Sequence, residues 1–203
     1  EVSAPRRGGA FHPKLWVLRF TAQDREKVQF RLMLSSKNLT ADRCWDVALT
    51  LDGTPGADED PNGFGIAALL EQLPSLSTAT FDAVVPYNSF VDELRKIKWE
   101  LPDGFDELKF HVLGFGGKAW RPVKNRRLVV ISPFVRPKAL QMLAETSDIP
   151  IAVVSRSESL AELNGDTPFR DTYVLHDAAE TEDGEDEAGD RQEIGLHAKA
   201  YMY

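Results

Sequence analysis

One short pattern stands near both ends of this chain. Phe11-His12-Pro13-Lys14-Leu15-Trp16 carries it first, and Leu196-His197-Ala198-Lys199-Ala200-Tyr201 repeats it. Each copy sets an imidazole and an ammonium two residues apart in an apolar, aromatic run, the composition of a β-strand. On a strand, residues two apart share a face. His12 is thus expected to project with Lys14, and His197 with Lys199. A second polar pair, Ser36 and Asn38, follows the first copy with the same spacing. The polar residues 21–27 between the two runs predict a hairpin, which would gather imidazole, ammonium, hydroxyl and amide at one spot. That set suits a phosphate, which asks for a nucleophile or proton carrier, a fixed cation and neutral donors. If both copies serve one phosphate, the fold must carry residue 197 back to residue 12.

The stretches between the two copies alternate in kind. Residues 45–51 read as a strand and 52–62 as a Gly/Pro/Asp loop. Ile66, Leu69, Leu70 and Leu73 have helical spacing over residues 64–73, ended by Pro74. Ser89-x-x-Asp92 looks like the start of a helix through about Trp99, with Phe90, Leu94 and Ile97 inward. Residues 108–115 read as a strand. Residues 128–132 and 149–154 are continuous apolar runs of the buried-strand kind. Residues 137–145 predict a helix with Pro in its first turn, and 157–163 a shorter one. Residues 173–175 read as an edge strand, 177–193 as an acidic, flexible insertion, and a last strand carries His197 and Lys199. This alternation defines an α/β chain with a largely mixed sheet.

Composition bounds the function. The net charge of −8 would oppose a nucleic-acid partner if it were evenly spread. It is not: Arg6, Arg7, Lys14 and Arg19 stand in residues 2–23 without an acid. Residues 108–144 hold Lys109, Lys118, Arg121, Lys124, Arg126, Arg127, Arg136 and Lys138, again without one. A local field matters more to an anion than the total. Arg121, Lys124, Arg126 and Arg127, with Trp120 and Phe134 interleaved nearby, are the candidate nucleic-acid contacts. The acidic residues 177–193 are either a solvated loop or a mimic of nucleic acid that shields the basic cleft. The single cysteine, Cys44, forms no internal disulfide and supports no multi-cysteine metal site, so the cytoplasm is the expected compartment. No apolar run nears the roughly 20 residues of a membrane span. The chain begins at Glu1 and stops just past a motif, and reads as part of a longer protein. His111 and His176, with no Lys two residues on, are read as structural.

The paired His-x-Lys, with Ser36-x-Asn38 after the first, resembles the phospholipase D superfamily. Its usual signature is His-x-Lys-x4-Asp with a downstream Ser-x-Asn. Arg19 stands where that Asp falls, which brings the chain closer to the His-Lys-Asn variant of tyrosyl-DNA phosphodiesterases and phospholipase D-like nucleases. The resemblance implies a phospholipase D-like mixed sheet flanked by helices, in two pseudo-repeated lobes (about 1–100 and 101–203), the second truncated. It implies a metal-independent phosphodiesterase that needs no cofactor and forms a covalent phosphohistidine. His12, Lys14, Asn38, His197 and Lys199 would be catalytic, with Ser36 in support. Asp46 matches a carboxylate common in the following strand, placed to orient a histidine. His12 is assigned as nucleophile and His197 as general acid, then base; the two roles can be exchanged. The expected partner is DNA or RNA, with other domains of a helicase, defence or repair assembly, or a second copy of the chain, alongside. The rival readings are a phospholipid hydrolase and a non-catalytic nucleic-acid-binding scaffold.

Overall fold

The computed structural model describes Val2 and residues 11–23, 27–38, 44–77, 87–115, 120–176 and 195–203. The expected insertion at 177–193 lies outside them, as does Lys118. Among the described residues the fold is mixed α/β, with four helices and several sheets. They fall into two compact units. One comprises those within Glu1–Leu34 and Leu49–Trp120, the other those within Ser35–Ala48 and Arg121–Tyr203.

The first unit is built on the expected hairpin. Strand β1 (Leu15–Thr21) pairs antiparallel with β2 (Val28–Ser35), Val17 opposite Leu32 and Arg19 opposite Phe30. Strand β3 (Cys44–Trp45) leaves this sheet. Strand β4 (Ala48–Pro55) joins it, and β5 (Ile97–Trp99) completes the order β1-β2-β4-β5. Phe30, Leu32, Leu51, Leu94 and Ile97 are buried at its centre, packed with Ile66, Ala67 and Val91 from helices α1 (Pro61–Leu76) and α2 (Tyr87–Leu94). Arg19, at the position of the missing signature Asp, has a structural task here. Its guanidinium grips Glu93 of α2 at 2.7 and 3.2 Å.

Several boundaries depart from the sequence reading, each for a local reason. Strand β1 starts only at Leu15, so His12 and Lys14 precede it; Pro13 has no N–H to give a ladder. Strand β2 stops at Ser35, whose hydroxyl oxygen accepts the N–H of Lys37 at 3.2 Å and closes a turn. Ser36 and Asn38 are therefore not on a strand. The expected strand over 45–51 breaks at Asp46, whose carboxylate takes the N–H of Val47 at 2.7 Å. Strand β4 runs on to Pro55, through the predicted loop, because β5 pairs with Gly53, Thr54 and Pro55.

Helix α1 starts at Pro61 behind the Asp60 cap and continues past Pro74. Proline has no N–H for the carbonyl four residues back; the Tyr87 hydroxyl donates to that carbonyl, Leu70 O, instead. Helix α2 ends at Leu94, and Ile97 is buried in a strand rather than a helix. Residues 108–115 form no strand; Leu108 and Phe110 pack on the core as irregular chain.

The second unit follows the predicted alternation. It contains β6 (Asn125–Ile131), α3 (Pro137–Ala144), β7 (Ser147–Val154), α4 (Ser157–Ala161), β8 (Asp171–Tyr173), β9 (Gly195–Leu196) and β10 (Ala200–Met202). The sheet order is β10-β6-β7-β8, with β6, β7 and β8 parallel and β10 antiparallel to β6. Leu128, Val130 and Val153 of the sheet bury against Val135, Leu140, Ala144, Leu163 and Phe169. The mixed sheet agrees with the sequence reading, and its edge strand lies at Asp171–Tyr173 rather than over 173–175. The last strand does not: β9 ends at Leu196 and β10 begins at Ala200, so His197, Ala198 and Lys199 occupy a break. Strand β9 pairs instead with β3, in parallel, Trp45 opposite Leu196.

Candidate active site

The register places that break at the carboxyl end of the parallel strands. Ala200 lies opposite Ile131, Ile131 opposite Val154, and Val154 opposite Tyr173. Open α/β sheets bind ligands outside this end, because the loops that leave the strands gather polar groups there.

The break is clamped by the segment just after β2. The carbonyl of Trp45 accepts both the His197 N–H at 2.7 Å and the Ala198 N–H at 2.9 Å. Ser36 N–H donates to Val47 O at 2.9 Å and closes the excursion that carries β3. The Ser36 hydroxyl lies 3.3 Å from the carbonyl of His197, a residue 161 positions away. The Lys199 ammonium reaches the carbonyls of Ser36 at 3.3 Å and His197 at 3.4 Å. Ser36, Asp46, His197 and Lys199 thus meet within one unit. Asn38 is exposed two residues beyond Ser36.

Asp46 organises the serines. Its carboxylate accepts from the Ser36 hydroxyl and, at 2.7 Å, from the Ser35 hydroxyl, besides the Val47 N–H. Each hydroxyl has one proton and other acceptors in range; the charged carboxylate is the stronger claimant. Burial works to raise the Asp46 carboxyl. The hydrogen bonds from Ser36, Ser35 and the backbone of Val47 and Lys37 outweigh it and hold the group below the ordinary carboxylate value. These bonds give Asp46 a task other than the expected one of orienting an imidazole. The Nδ1 of His197 is buried and bonds no group among the described residues.

His12 and Lys14 belong to the first unit. His12 is exposed, and its carbonyl accepts the Lys14 ammonium at 3.1 Å. The four groups expected around the hairpin are thus divided, His12 and Lys14 in one unit and Ser36 and Asn38 in the other.

The basic candidates separate as well. Arg121 and Lys124 are exposed in the chain leading to β6, and Arg126 and Arg127 are exposed near its start. Neighbours on a strand point to opposite faces, so Arg126 and Arg127 form no single patch. From Arg126 to Ile131 the strand advances about 16 Å at about 3.3 Å per residue, which puts these arginines at the far end from His197. The cation that the structure does bring to the break is Arg156, which directly follows Ser155 at the carboxyl end of β7. Its Nε donates to Leu196 O at 2.9 Å. Sequence reasoning passed it over, although an arginine just beyond a buried parallel strand is placed where such sheets hold ligands.

Among the described residues no cluster of three or more His, Cys, Asp or Glu is gathered to hold a metal ion, and no helix is long and apolar enough to cross a membrane. The chain matches no family model, and no curated protein or solved structure matches it significantly.

Proposed function

We propose that this chain is a phospholipase D-like phosphodiesterase domain acting on nucleic acid without a metal. One observation carries the reading. Ser36, Asp46, His197 and Lys199 come from opposite ends of the chain and are held in one unit by backbone and side-chain hydrogen bonds. The reaction needs two imidazoles. The Nε2 of one attacks phosphorus and forms a P–N bond as the P–O bond to the leaving group breaks. The other imidazole gives its proton to the leaving oxygen. Water then attacks the phosphohistidine, gives a proton back to the second imidazole, and the P–N bond breaks. Lysine ammonium groups and the Asn38 amide stabilise the charge on the phosphoryl oxygens.

The resemblance gives the nucleophile's part to His12 and the proton carrier's to His197, and the two roles can be exchanged. Nucleic acid, DNA or RNA, is favoured over a phospholipid as substrate because no amphipathic membrane-surface segment is evident in the sequence.

The test is turnover of single-stranded DNA and of a phosphatidyl ester in EDTA. Wild type should cleave DNA, and His12→Ala and His197→Ala should each lose at least about a hundredfold. Cleavage abolished by EDTA, or unchanged in His197→Ala, would refute the mechanism. DNA binding without turnover would leave a scaffold.

A further inference from the structure

Arg156 differs from the other arginines with described contacts. Arg19, Arg31, Arg95 and Arg170 are each neutralised by a carboxylate: Glu93, Asp52, Glu71 and Asp171. Arg156 is half-buried, yet no acid among the described residues pairs with it. Charges withdrawn from water are normally matched by a partner. Arginine cannot relieve the mismatch by losing its proton.

The guanidinium is nonetheless fixed on two sides. Its Nε is tied to the carbonyl of Leu196, the residue before His197, at 2.9 Å. Its Cζ lies over the ring of Phe134, 5.3 Å from the centroid, within the range of a cation–π contact. Phe134 itself is 65% exposed at the carboxyl end of β6, so the pair sits at the mouth of the break rather than in the core. The Nη2 is buried without an acceptor among the described residues. A buried N–H lacking an acceptor costs about 1–3 kcal/mol. Nη1 is not among the buried, unbonded atoms, so it is the tip of the fork left open to an anion, and its bond to a phosphate oxygen would be charge-assisted.

We infer that Arg156 is the phosphate-anchoring cation of the His197 site, and that it grips a non-bridging phosphoryl oxygen through Nη1. The inference rests on the phosphodiester reading of that site. It gives the second unit a fixed, planar cation in addition to the Lys199 ammonium. Because Leu196 O holds the near edge, the fork stands at a set place relative to the His197 backbone before any ligand arrives. That is preorganisation of the kind that favours binding of the charge developed in a transition state.

The probe is inorganic phosphate, titrated into wild type and Arg156→Gln and followed by calorimetry. Glutamine places its amide nitrogen near the position of the arginine Nε. It keeps a donor for Leu196 O while removing the fork and the charge. Phosphate affinity should fall about 10- to 100-fold, the loss expected for charge-assisted hydrogen bonds, while the urea midpoint stays put. Equal phosphate affinity in both proteins overturns the inference. If the variant does not fold, the wild-type Arg156 Nε–H resonance decides: a saturable shift on adding phosphate supports the assignment, and no shift overturns it. Turnover separates this from the wider reading. Active enzyme with an unaffected Arg156→Gln sinks Arg156 alone. Phosphate binding that depends on Arg156 in a protein without turnover sinks the hydrolase and keeps the anion site.

Discussion

Replacing Asp46 with Asn should loosen the clamp that holds His197. The carboxylate gathers several donors at once, among them the hydroxyls of Ser35 and Ser36 and the N–H of Val47. Hydrogen bonds to a charged acceptor contribute about 1.5–3 kcal/mol, against about 1 for neutral ones. Asparagine keeps one acceptor oxygen and turns an NH2 toward a hydroxyl that can rotate to accept it. Asp46 is also half-buried, so water softens the loss. The net expectation is about 1–2 kcal/mol, a factor of about 5–30 in the opening equilibrium.

Hydrogen exchange reads this locally. The His197 N–H bonds Trp45 O, and the Ser36 N–H bonds Val47 O, so both amides report the clamp without touching position 46 directly. The pH dependence gives the sharper test. The folded Asp46 pKa is lowered, so its contribution is complete above the unfolded value of about 3.9. It fades as pH falls through the lower folded value. Protonated Asp46 resembles asparagine. The difference between wild type and Asp46→Asn should therefore be full at pH 6 and collapse in strong acid. A difference of equal size at both ends, or none at pH 6, would refute the view that the charge holds the serines.

Two further substitutions test the first unit by urea unfolding. In Gly65→Ala the new Cβ would sit 2.6 Å from Phe110 Cβ and 2.7 Å from its carbonyl oxygen. Overpacking costs about 1–3 kcal/mol, more than the helix gains from alanine, about 0.5–1; a stabilised variant would mean that Phe110 does not pack on α1. Arg19→Met should cost only about 0.5–1 kcal/mol, because the Glu93 pair is partly solvated, and the cost should shrink in high salt; a salt-independent loss would point to packing instead.

How legible the fold was depended on how local its cause is. Strands β6 and β7 and helix α3 were readable because continuous apolar runs and a first-turn proline act over a few residues. The hairpin was readable because its turn is contiguous with both strands. The boundaries at Ser35 and Asp46 were not, since each is set by a side chain competing with the ladder for backbone groups. Helix α1 outran Pro74 because Tyr87, from another helix, satisfies the carbonyl that proline leaves open. Ile97 looked helical because a spacing of seven fits a helix, yet pairing of β5 with β4 fixed it in a strand.

The candidate site divides in the same way. Sequence alone determined the chemistry on offer: two His-x-Lys pairs, a Ser-x-Asn, a nearby acid and an uneven spread of charge. Those are properties of residue identity and short spacing. Only the tertiary structure decided which of these groups keep company. It set Ser36 and Asp46 beside His197 and Lys199 and brought in Arg156, while Arg126 and Arg127 fell at the other end of the same strand. The reason is that such contacts arise from strand pairing and from hydrogen bonds that span up to 163 positions. No local pattern encodes them, since each depends on where the whole sheet places its ends.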